Sequence, residues 1–223
     1  MEKKCGKFNL VIDFDSTFIK LEALDELAKI ALENDSRKEE KTAEIQKITN
    51  RGMVGEISFP ESLQSRLDLF SIKREHIEKL IKKLKGSISE SFLRNRDFFL
   101  KNKEHIYIIS GGFLDYILPV AQNFGISKEH ILANRFVFEG EDVIGFDKTS
   151  FLAQESGKVK AVKNLGIGKV VVVGDGWTDY EIKETGNAEN FFAFSENVKR
   201  VKVIEVADVE CFDLEQVIEK IKS

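Results

Sequence analysis

No stretch of about 18 consecutive apolar residues occurs in this chain, so it offers no candidate for a membrane-spanning helix. Cysteine is scarce. Cys5 and Cys211 stand far apart in no C-x-x-C pattern, which excludes a disulfide framework and leaves both as expected reduced thiols. Only three histidines occur, His76, His105 and His130, and no two have metal-ligand spacing. They read as surface or structural positions, and a zinc site or histidine triad lacks its residues. No internal repeat, low-complexity tract or flexible linker is visible. A net charge of -4 argues against general nucleic-acid binding. The opening residues, Met1 to Gly6, lack the apolar stretch of a signal peptide, so the protein is expected in the cytosol.

What remains is a chain of 223 residues, 42% of them hydrophobic, enough for one packed domain carrying one sizeable insertion. Three short apolar runs each end in small and acidic residues. Phe8 to Ile12 leads into Asp13-Phe14-Asp15-Ser16-Thr17. Ile106 to Ile109 leads into Ser110-Gly111-Gly112, and Val170 to Val173 leads into Gly174-Asp175-Gly176. Unbroken apolar runs predict strands buried on both faces of a parallel sheet. Phe191 to Phe194 is a weaker fourth strand. Helical patterns intervene, one of them through Leu114, Ile117, Leu118 and Ala121 with Gly125 as its C-cap, and this alternation predicts an α/β fold. Residues 18–84 differ. They predict four helices and no strand, broken at Gly52 to Gly55, with Ser58 and Pro60 opening the third helix and Gly86 ending the fourth. Residues 1–17 and 85–223 then form the core and 18–84 a helical insertion. Phe136 to Phe146, turning at Glu139-Gly140-Glu141-Asp142, predicts a β-hairpin.

In open α/β sheets the ligand site lies beyond the carboxyl ends of the strands. That rule gathers Asp13, Asp15, Ser110, Gly111, Asp175 and Asp179 around one crevice. On an extended backbone Asp13 and Asp15 point the same way, and two such carboxylates repel unless a cation or proton lies between them. Mg²⁺ prefers oxygen ligands. One carboxylate can attack phosphorus while the other protonates the leaving alcohol and later activates water. Asp175 is a further metal ligand, and Asp179 supports the metal or orients a lysine. Ser110 and the glycines after it, placed at a helix start, make a phosphate cradle. Lys158 can neutralise phosphoryl oxygens, with Lys160 as a rival. Each element also has an ordinary reading: Asp15 or Ser16 as a helix cap, Thr178 as another, Ser110 as an N-cap, Lys158 as a solvated side chain.

The order D-x-D-x-T, S-G-G, Lys, G-D-x-x-x-D resembles the haloacid dehalogenase superfamily, whose core is a Rossmann-like parallel sheet. The stretches DFDSTFIKLEALDELA from Asp13, ITNRGMVG from Ile48, FPESLQSRL from Phe59, ISGGF from Ile109, ANRFVF from Ala133 and GFDKT from Gly145 resemble its phosphoserine phosphatases. The resemblance spans nearly the whole chain. It implies Mg²⁺-dependent hydrolysis of L-phosphoserine to L-serine and phosphate, with Asp13 as nucleophile and Asp15 as acid and base. It places phosphate on Ser110 and Lys158, and Mg²⁺ on Asp13, Asp175 and the Asp15 backbone carbonyl. It makes the insertion a cap in which Glu22 meets the substrate ammonium, Arg66 its carboxylate, and Met53 and Phe59 cover the site, with Gly111 and Thr178 also lining it. Arg suits a carboxylate because it binds bidentately. Trp177 departs from the family, which usually has a small residue there. It packs under the loop or reshapes the pocket, so another small phosphomonoester, such as a phosphorylated amino alcohol, and phosphoryl transfer to an acceptor alcohol remain alternative readings. A monomer or homodimer acting on a small phosphorylated substrate is expected.

Overall fold

A computed structural model describes residues 8–222. The chain opens with β1 (Asn9–Ile12), followed by α1 (Ala23–Ala31), α2 (Lys38–Met53), α3 (Phe59–Leu67) and α4 (Arg74–Lys85). Two short helices, α5 (Glu90–Arg94) and α6 (Arg96–Asn102), lead to β2 (Ile106–Phe113), α7 (Leu114–Ala121) and β3 (Ile131–Asn134). A hairpin of β4 (Phe136–Glu139) and β5 (Asp142–Phe146) comes next, then α8 (Gly157–Leu165), β6 (Val170–Gly174) and α9 (Trp177–Glu184). The chain ends with β7 (Asn190–Phe194), α10 (Val201–Ile204), β8 (Val209–Cys211) and α11 (Leu214–Lys222). No helix among the described residues is long and apolar enough to cross a membrane. Cys5 lies outside the described residues, and Cys211 is a buried free thiol.

Six strands form one parallel sheet in the order β3-β2-β1-β6-β7-β8. β1 is central because its residues are apolar on both sides. Leu10 and Ile12 enter one core cluster, and Val11 enters the cluster on the opposite face. Four consecutive valines make β6 a fully buried strand of the same kind. Ile12 pairs with Ile108 on one side and Val173 on the other, so β1 and β6 finish almost level while β2 runs on past them to Phe113. That register brings the loops after β1 and β6 to one place.

The strand pattern missed β3 and β8, short segments whose partly exposed positions give no continuous apolar run. It also broke α2 too early. The helix runs through Gly52 and Met53 and stops at Gly55, whose φ of 72° is left-handed. A Cβ on Gly52 would stand 2.8 Å from Ser62 Oγ, so glycine there lets α2 and α3 pack closely. Ser58 caps α3 by accepting from the Glu61 N–H at 3.3 Å, with Pro60 in the first turn. The four-helix insertion leaves and rejoins the core at one point. There Ile19 bridges Ile88, Lys20 N–H donates to the Ser87 carbonyl at 2.8 Å, and Ser89 N–H donates to the Phe18 carbonyl at 3.1 Å.

Candidate active site

The loop after β1 turns sharply. Ser16 takes a left-handed φ of 53°, unusual for a residue with a side chain, and so must be held by its surroundings. Asn197 does this: its amide donates to the Ser16 carbonyl at 3.0 Å and to Ser89 Oγ at 2.7 Å. Before the turn Asp13 and Asp15 are both extended, and both line the same cavity. Asp15 Oδ1 accepts the Ala23 N–H at 2.6 Å, which points that carboxylate toward the start of α1. The carboxylates that do converge are Asp13, Asp175 and Asp179, with one oxygen of each within 4.8 Å of the others.

Lys158 stands inside this cluster, with Nζ 2.7 Å from both Asp13 Oδ1 and Asp179 Oδ1. All three residues are buried. Burial alone would lower the lysine pKa, but the charges of Asp13 and Asp179 outweigh it and raise the value. Lys160 is elsewhere, bound to Gln154 Oε1 at 3.2 Å. Asp179 also accepts the Gly176 N–H at 3.2 Å, so it, not Thr178, closes the first turn of α9. A side chain on Gly174 would meet the Asp179 carboxyl carbon at 2.3 Å, which reserves that space.

On the other side of Asp175 lies Arg200, which the sequence reading did not single out. Its Nε donates to Asp175 Oδ2 at 2.7 Å and its Nη2 to Glu22 Oε1 at 3.2 Å. Ser16 Oγ donates to the same Glu22 oxygen at 2.7 Å, and Thr17 Oγ1 to Asp175 Oδ1 at 3.1 Å. Burial pushes Asp15 well above the usual carboxylate range, helped by Glu22 and Asp13. Burial likewise raises Glu22 to about 7 and Asp179 to about 8, with Asp175 and Asp13 respectively the next cause. Thus Lys158 and Arg200 do not fully neutralise the crowded acids Asp13, Asp15, Asp175, Asp179 and Glu22. Such a set of hard oxygen donors short of positive charge suits a metal ion.

Ser110 is buried within β2, and its Oγ accepts the Gly112 N–H at 3.0 Å. The strand continues to Phe113 and α7 begins only at Leu114, so Ser110 is not at a helix start as expected. Asn134, from β3, pins this segment by donating to the Gly111 carbonyl at 2.8 Å. The insertion closes over it. A Cβ on Gly111 would lie 2.4 Å from the Phe59 ring, and one on Gly176 would lie 3.5 Å from Met53 Sδ.

A cavity of about 50 Å³ is lined by Asp13, Ser110 and Lys158 of the core and by Glu22 and Arg66. Arg66 is buried and held in place within the insertion. Nε donates to the Ser62 carbonyl and Nη1 to Thr49 Oγ1, both at 3.2 Å, with Asp25 Oδ1 at 3.6 Å from Nη1. A second cavity of about 300 Å³ shares the walls Phe59, Lys158, Trp177 and Thr178. Trp177 packs its indole against Tyr180 of its own helix, with ring centroids 5.1 Å apart. Its indole faces Gly55, where a Cβ would be 3.2 Å away, at the seam between insertion and core.

A parallel sheet with a buried lysine among aspartates at its carboxyl edge, roofed by helices, defines an enzyme of the Rossmann-like α/β class with a site suited to an anionic group. The chain belongs to the haloacid dehalogenase-like hydrolases, the family that matches residues 10–182. Within it, the chain is 33% identical over 197 residues to the phosphoserine phosphatase of Homo sapiens, covering 86% of this chain and 83% of that protein. The structure is similar to that of a phosphoserine phosphohydrolase-like protein from Francisella tularensis, with TM-score 0.87, 30% identity, and coverage of 96% and 99%. It is also similar to a phosphoserine phosphatase captured as a phospho-aspartyl intermediate analogue, with TM-score 0.74, 26% identity, and coverage of 96% and 99%.

Proposed function

We propose that this protein hydrolyses L-phosphoserine to L-serine and phosphate through an aspartyl-phosphate on Asp13. The observation that carries this reading is the single cavity whose lining includes Asp13, Ser110 and Lys158 together with Glu22 and Arg66. Phosphoserine carries a phosphate, an ammonium and a carboxylate, and the cavity walls offer a partner for each. Trapping of the phospho-aspartyl analogue in a relative supports the covalent route.

In the first displacement an Asp13 carboxylate oxygen attacks phosphorus and the bond from phosphorus to the serine oxygen breaks. Asp15, whose raised pKa keeps a proton available, protonates that oxygen. In the second, water attacks the phosphorus, Asp15 takes its proton, and the bond to Asp13 breaks to restore the carboxylate. Ser110 and Lys158 hold the phosphoryl oxygens, and Asp179 fixes Lys158. Asp13, Asp175 and the Asp15 backbone carbonyl are the residues to hold Mg²⁺, which supplies charge neutralisation on the phosphoryl group. Met53, Phe59 and Thr178 close the walls, and residues 18–84 act as a cap over the substrate. The protein works in the cytoplasm, as a monomer or homodimer, on a small substrate.

Phosphate release measured over a panel of phosphomonoesters tests the assignment. Phosphoserine should lead phosphoethanolamine and p-nitrophenyl phosphate in kcat/KM. Chelator should abolish turnover and Mg²⁺ restore it, whereas Ca²⁺, which favours looser and larger coordination, should inhibit. A preference for phosphoethanolamine would replace the substrate, and full activity in metal-stripped protein would remove the metal.

A further inference from the structure

Tyr116, on α7, is completely buried and its ring packs at 6.4 Å from Phe14 and 6.1 Å from Phe113. The sequence alone gave no reason to select it, since it falls within the apolar pattern of a helix. Its hydroxyl, however, makes no hydrogen bond among the described residues. The Phe113 N–H approaches that oxygen without completing a bond, and it could only donate, so the phenolic proton has no acceptor. A buried donor left without a partner is costly, and phenylalanine would fill the same space without that cost.

The hydroxyl opens onto the cavity that holds Glu22 and Arg66. A Cβ on Gly112 would stand 2.7 Å from Tyr116 Oη, 3.2 Å from Ser110 Oγ and 3.3 Å from Asp15 Oδ2, so these three polar atoms ring one small space kept free by glycine. Burial, followed by the charge of Asp15, keeps the phenol protonated. It therefore needs an acceptor. At the amino-acid end of phosphoserine the ammonium has only donors, and the carboxylate alone can accept.

Resting on the substrate reading above, we propose that Tyr116 is a specificity-determining residue whose hydroxyl donates to the substrate carboxylate alongside Arg66. Arg66 supplies charge from the insertion, and Tyr116 supplies a fixed donor from the core. A carboxylate thereby bridges the two parts of the protein.

The test is Tyr116→Phe, assayed with phosphoserine and with phosphoethanolamine, which keeps the phosphate and ammonium but lacks the carboxylate. Loss of a hydrogen bond to a charged group should lower kcat/KM for phosphoserine roughly 10- to 100-fold, mainly through KM. Phosphoethanolamine turnover should stay unchanged, L-serine binding should weaken by a similar factor, and Tm should not fall. Equal losses on both substrates would place the hydroxyl on the shared chemistry, and no loss on either would leave it without a role; each overturns the proposal. A wild type that does not favour phosphoserine over phosphoethanolamine would remove the substrate reading itself, a failure seen before any variant is made.

Discussion

Asp25 faces Arg66 inside the insertion, its Oδ1 3.6 Å from Arg66 Nη1, and Thr49 links them by donating to the same Asp25 oxygen at 2.7 Å while accepting from Arg66. Arg66 is thus held by its own neighbours, and in the role proposed for it this would reduce the entropy lost on binding. Arg66→Ala should cost about 2–5 kcal/mol in kcat/KM for phosphoserine and spare p-nitrophenyl phosphate. Thr49→Val should act in the same direction more weakly, through KM. The ratio of kcat/KM for the two substrates checks both; an unchanged ratio in Arg66→Ala would sever Arg66 from substrate choice.

Asp13 is the only one of the clustered acids assigned to bond with phosphorus. Asp13→Asn should keep the fold, by far-ultraviolet circular dichroism, and lose about 10³-fold or more in turnover. Trapping of beryllofluoride, a mimic of the acyl-phosphate, should disappear with it. Near-normal turnover would end the covalent mechanism.

How far could the sequence be read? The three apolar runs that became β1, β2 and β6 announced the sheet because burial on both faces demands such runs. Asp13, Lys158, Asp175 and Asp179 could be named as candidates because strand ends and helix starts put them in predictable places, whereas Ser110 lies within β2. The left-handed turn at Ser16 could not be read, since Asn197 secures it from far along the chain. Arg200 and Asp25 were hidden for a similar reason. A charged residue in a helical or loop pattern looks solvated until the fold buries it against a partner many residues away. Tyr116 was hidden in a different way, because an amphipathic pattern registers its ring and not its hydroxyl.

Trp177 is the sole tryptophan, and it sits where the insertion meets the core. Its fluorescence should therefore change when beryllofluoride or phosphate closes the site, without any added label. Trp177→Ala should join the two cavities and raise kcat/KM for bulkier phosphomonoesters relative to phosphoserine. A uniform loss across substrates would show instead that the indole only supports the loop.

Glu26 is buried and ties α1 to α4 through an ion pair with Lys83, with Lys29 as a second partner at 2.6 Å. Burial alone would raise its pKa, but hydrogen bonds from the two lysines lower it below 4.5. A depressed carboxylate stabilises the fold fully above its unfolded value and loses that contribution as pH falls through the folded one. Glu26→Gln should accordingly cost about 1 kcal/mol at neutral pH, the lysines being half-exposed, and the gap to wild type should close near the acid end of the range. Denaturant melts across pH check this; a pH-independent gap would make the loss one of packing.

The clasp at Ile19 and Ile88 gives the four helices a shared point of attachment, through which the chain leaves the sheet and returns to it. On the cap reading proposed above, the four helices between those two residues form one unit. It carries Glu22, Asp25, Thr49 and Arg66 as a set, while Asp13, Ser110, Lys158, Asp175 and Asp179 stay behind. If those proposed roles hold, exchange at this joint should change which alcohol is presented without disturbing what is done to its phosphate, with Tyr116, anchored in the core, as the limit of that interchangeability.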